Sequence, residues 1–82
     1  MVPQHVKDTL TRYVEHRILP GGFLTAVLSN DLFGAVDRAD SESLANLTDI
    51  VRYVWVALPM EAWGSKDKMY EFVKNKFYER VG

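Results

Sequence analysis

With 82 residues, 48% of them apolar, ten Lys or Arg against eleven Asp or Glu, and a formal charge of −1, the chain has the length of one small domain and carries no basic block. So even a balance gives no electrostatic footprint for a nucleic-acid duplex or an anionic membrane surface, which disfavours nucleic acid as a partner. The lack of cysteine excludes a disulfide framework, a thiolate zinc site and a cysteine nucleophile.

A chain of this size buries only about 60% of the surface that its unfolded form exposes. Two Trp, four Tyr and four Phe are more large groups than such a core hides, so some are expected to face a partner or a second copy, and a homo-oligomer is expected. Lys7, Asp8, Arg12 and Glu15 near the start argue against an export signal. The longest apolar stretch, Tyr53 to Met60, is too short to cross a bilayer. A cytoplasmic protein with no membrane partner is the expectation.

In chain order, Val6, Leu10, Tyr13, Val14 and Ile18 recur at helical spacing and predict a first helix over 3–18, with Pro3 suited to its first turn. Pro20 disfavours helical backbone at Leu19, and Gly21-Gly22 permits a turn. A second helix is expected over 22–38, apolar around more than half its circumference from Phe23 to Val36 and therefore contacted on several sides. Asp40 or Ser41 can cap a third helix over 41–58, with Leu44, Leu47, Val51, Val54 and Leu58 as its stripe and Ile50 and Ala57 widening it. Pro59 ends that helix. Ser65 can cap a fourth over 65–80, with Met69, Phe72, Val73 and Phe77 buried and Lys74, Lys76 and Arg80 near its C-terminus. The expected fold is all-α, a single compact four-helix domain over 1–82.

Three constellations suggest binding. Gly21 and Gly22 ahead of a helix offer backbone amides to an anion, although no Lys-Ser or Lys-Thr pair completes a phosphate loop. On a continuous second helix, Asp31, Ala35 and Arg38 share a face with Leu24 and Leu28. Asn30 and Asp31 then suit a base or ribose and Arg38 a phosphate. Trp63 just before Ser65 sets an indole beside a helix N-terminus, a stacking surface for a nucleotide-like ligand. Phe33, Tyr53 and Trp55 are read as interface residues. His5 and His16 are too far apart to chelate one metal, and no convincing Ser-His-Asp spacing or carboxylate pair beside a nucleophile occurs, so a non-enzymatic protein without metal or cofactor is expected.

The pattern Pro-Gly-Gly-Phe-Leu-x-Ala-Val-Leu-x-Asn-Asp-Leu at residues 20–32, with Arg38-Ala39-Asp40 and Trp63-Gly64-Ser65 after it, resembles a group of small uncharacterised helical proteins encoded by bacteriophages. The resemblance spans roughly residues 17–65 and carries no functional residue over. It implies a phage protein in the bacterial host cytoplasm, where small phage proteins inhibit host defence by binding a host protein or by sequestering a nucleotide-derived immune signal. Under it, the expected function is non-catalytic sequestration of such a signal by Gly21, Gly22, Asn30, Asp31, Arg38, Trp63 and Ser65. A protein-interaction module acting on a host or phage protein is the alternative, and a small helix-turn-helix regulator a further one. The third helix lacks the Arg, Lys and Gln density of a recognition helix.

Overall fold

A computed structural model describes residues 1–81, with side chains over residues 1–75. Its elements are α1 (Gln4–His16), α2 (Gly22–Leu28), α3 (Leu32–Arg38), α4 (Ser41–Ala45), α5 (Leu47–Ala57), a 3-10 turn (Met60–Ala62) and α6 (Lys66–Val81). Among the described residues no strand occurs, as the all-α expectation requires. The four-helix count differs, because two of the expected helices are each divided.

Helix α1 begins after Pro3 and ends at His16, where Arg17 adopts a left-handed φ of 56°. Val6, Leu10 and Tyr13 are buried, but Ile18, expected to continue their stripe, lies past the helix end and is exposed. Arg17 itself stitches α1 to α6: its guanidinium lies 3.7 Å over the Phe72 ring and donates to the Phe72 carbonyl.

The expected helix over 22–38 is broken at Ser29-Asn30-Asp31 by two capping motifs placed back to back. The Asp31 N–H donates to the Ala26 carbonyl at 2.8 Å and the Asn30 N–H to that of Val27 at 3.1 Å, with Asn30 left-handed at φ 64°. This satisfies the last carbonyls of α2. Asp31 then caps α3, its carboxylate accepting from the Gly34 N–H at 3.0 Å, a contact worth about 1 kcal/mol. The break corrects the expected shared face. Leu24 and Leu28 are buried on α2, whereas Asp31 and Arg38 are exposed at the two ends of α3. It also corrects the expectation of a helix contacted on several sides, since α3 buries only Ala35 and leaves Leu32, Phe33 and Val36 exposed.

Asp40 caps α4 by accepting from the Ser43 N–H at 2.7 Å, and that bond holds its carboxyl below the usual carboxylate range. The expected helix over 41–58 is interrupted at Asn46 alone, whose carbonyl still accepts from the Ile50 N–H at 2.9 Å. In α5 the core takes Ile50 and Val54, with Leu58 just beyond the helix. Leu44, Val51 and Ala57, expected in the buried stripe, are exposed. At about 100° per residue Val51 stands more than a quarter turn round from Ile50, and the neighbours of α5 cover the Ile50 edge and leave that of Val51 open.

Ser65 accepts from the Lys68 N–H at 3.1 Å and so caps α6, which buries Met69 and Phe72. The expected burial of Phe77 and the expected cations Lys76 and Arg80 lie outside the described side chains. Tyr13 is the centre of the core: fully enclosed, 5.2 Å from the Phe72 ring centroid, and donating its hydroxyl to the Ala62 carbonyl at 2.7 Å. No buried side-chain nitrogen or oxygen among the described residues lacks a hydrogen-bond partner.

Candidate functional site

The corner between α2 and α3 generates a concavity. Because α2 stops at Leu28, that residue's carbonyl is open to the Gly64 N–H, which donates to it at 2.7 Å and draws the Trp63-Gly64 segment alongside. Gly64 has a φ of 122°, a conformation that side chains rarely tolerate. Trp63 is half-buried, its Nε1 donating to the Leu58 carbonyl at 3.4 Å. Between this segment, Val27 and Asn30 on one side and Val51, Val54 and Trp55 of α5 on the other lies a cleft of about 310 Å³. A second, smaller hollow of about 110 Å³ shares Val27, Asn30 and Val51 with it and is walled further by Leu32 and Ala35 of α3 and by Leu47. The two adjoining hollows form the groove.

The groove's chemistry is mostly apolar contact. Asn30 contributes a carboxamide where the two hollows meet, and the left-handed backbone at that corner is what presents it there. Asp31 lines only the smaller hollow, with its carboxylate bonded to Gly34.

The residues expected to bind a ligand are thereby divided. Asn30 and Trp63 share the groove with Trp55, which was expected at an interface and is largely exposed. Gly21 and Gly22 line a different hollow of about 250 Å³ with His5, Thr9 and Ser43. Arg38 lies against Gly22: a Cβ added there would stand 3.1 Å from Arg38 Cδ, and the guanidinium donates to the Gly34 carbonyl at 3.4 Å. No ion pair joins Arg38 to Asp31 among the described residues. Ser65 serves as a helix cap and lines neither hollow. Of the other expected interface residues, Phe33 is almost fully exposed. Tyr53 is half-buried, with Lys7 Nζ 5.7 Å from its ring centroid. Sequence reasoning placed Val27, Val51 and Val54 in the core and missed them as groove walls. The signal that could have found them is the Ser29-Asn30-Asp31 tripeptide, a turn composition inside an apolar run.

Among the described residues no three His, Asp or Glu side chains gather as metal ligands would, and no helix is long and apolar enough to cross a membrane. No protein-family model matches the chain, and neither a curated protein nor a solved structure shows significant similarity to it.

Proposed function

We propose that this chain is a non-catalytic binding module whose groove, lined by Val27, Val51, Trp55 and Trp63, takes apolar side chains of a protein partner. The observation that carries the reading is Trp55, 69% exposed at the mouth of an apolar cleft. Indoles so placed are anchors of protein recognition rather than of folding. In the phage setting that the sequence resemblance implies, the partner is a protein of the host or of the phage.

Nucleotide capture is the second reading, and what favours it is that Trp63 and Asn30, a stacking surface and a hydrogen-bonding amide, line one groove. Its phosphate ligands, Gly21, Gly22 and Arg38, do not line that groove. A photo-reactive benzoylphenylalanine in place of Trp55, with Thr11 on α1 as the control position, separates the two in living bacteria. The interaction reading expects a discrete protein cross-link from position 55 and none from 11. If instead position 55 yields no protein adduct while the purified chain retains a nucleotide, sequestration replaces it.

A further inference from the structure

Beside the groove stands an exposed aromatic, Phe33, next in sequence to the groove wall Leu32. Around α3, at about 100° per residue, Ala35, Leu32, Val36 and Phe33 follow one another from the buried side outward, and along α5 Leu47, Val51 and Trp55 form the facing edge. Leu32, Phe33, Val36, Val51 and Trp55 are 63%, 87%, 45%, 46% and 69% exposed. At about 100 Å² for an exposed aliphatic side chain and about 200 Å² for an aromatic one, these five present roughly 450 Å² of apolar surface. A protein–protein interface of standard size buries about 800 Å² per partner, and at the roughly 65% apolar share of homodimers that is roughly 500 Å². These five side chains by themselves come close to that area.

We infer that the occupant of the groove is a second copy of this chain, packed about a two-fold axis with Phe33 of each copy seated in the cleft of the other. The cleft, about 310 Å³, has room for a phenyl ring, since an apolar cavity of about 150 Å³ already accepts benzene. Its walls include Trp55 and Trp63, against which an inserted ring makes the edge-to-face contacts that aromatic groups favour. A self-complementary patch with a projection and a matching recess on the same surface is what an isologous interface requires. The borders carry opposite charges, Asp37 beyond Phe33 on α3 and Arg52 beyond Trp55 on α5. A two-fold arrangement that brings α3 of one copy to α5 of the other sets these unlike charges together, and a net charge of −1 per chain opposes association only weakly.

The inference rests on the proposed interaction reading and names its partner. Sedimentation equilibrium of the full chain, of Phe33→Asp and of Ile18→Asp, an exposed apolar position off this face, tests it. The expected result is a dimer for the wild type and for Ile18→Asp. Phe33→Asp should dissociate at least about 100-fold more readily while keeping the wild-type helical circular dichroism. A wild type that stays monomeric at millimolar concentration, or a dimer indifferent to Phe33→Asp, overturns the second copy. If position 55 then cross-links to a different protein, the interaction reading survives; if it cross-links to none, that reading falls as well.

Discussion

Replacing Tyr13 with phenylalanine removes one oxygen from the middle of the core and tests how the chain is closed. The hydroxyl donates to the Ala62 carbonyl across 49 residues of sequence, at 2.7 Å, in a site sealed from water. Without it the carbonyl loses that donor where no solvent replaces it, a loss of about 1–3 kcal/mol. For a domain of this size that corresponds to a fall in Tm of about 5 to 20 °C at neutral pH. A second signature distinguishes this from mere repacking. Burial pushes the Tyr13 hydroxyl up to about 12 from an ordinary value of 10.0, against a smaller opposing pull from Arg17. The unfolded chain therefore releases this proton at lower pH than the folded one. Between about pH 10 and 12 the folded state binds the extra proton, so stability falls as pH rises, by up to about 2–3 kcal/mol from this group. Tyr13→Phe has no such proton to lose. Thermal unfolding of both proteins followed by circular dichroism should give curves far apart at pH 8 that converge toward pH 12. A variant with unchanged Tm at neutral pH, or one whose alkaline decline runs parallel to the wild type, would refute the reasoning.

Two further outcomes follow from the caps. Asn30→Gly should leave the fold intact or slightly stabilised, because glycine takes the left-handed corner more readily. Asn30→Val, with a branched side chain forced to φ 64°, should cost about 1–3 kcal/mol in urea unfolding. A valine variant as stable as the glycine one would count against the corner geometry. Asp40, held below the usual carboxylate range chiefly by the Ser43 N–H, contributes stability that is present above the ordinary carboxylate pKa and is lost as pH falls through its lowered value. Asp40→Asn, which can still accept that bond, should show a smaller difference in stability between pH 6 and pH 2 than the wild type; an identical difference would remove Asp40 from the acid response.

Helical periodicity was enough to find α1 and α6 and the burial of Val6, Leu10, Tyr13, Met69 and Phe72, but it also carried the first stripe on to Ile18, which lies exposed past the end of α1. Local capping chemistry at Asp40 and Ser65 was equally readable, because such bonds join residues three apart and need no distant partner. The Asn30-Asp31 corner was written in the same local code but was hidden by the apolar residues on both sides of it. Missing it made one helix of two and placed Asp31 and Arg38 on a common face with Leu24 and Leu28. Only the tertiary structure decided which edge of α5 meets the core, since Ile50 and Val51 are equally apolar and a helix buries whichever arc its neighbours cover. It alone also opened the groove, by bringing Gly64, distant in sequence, against the end of α2 through a single backbone hydrogen bond. Caps and stripes are properties of short segments, whereas a cleft is a property of how segments end against one another, and no periodicity records that.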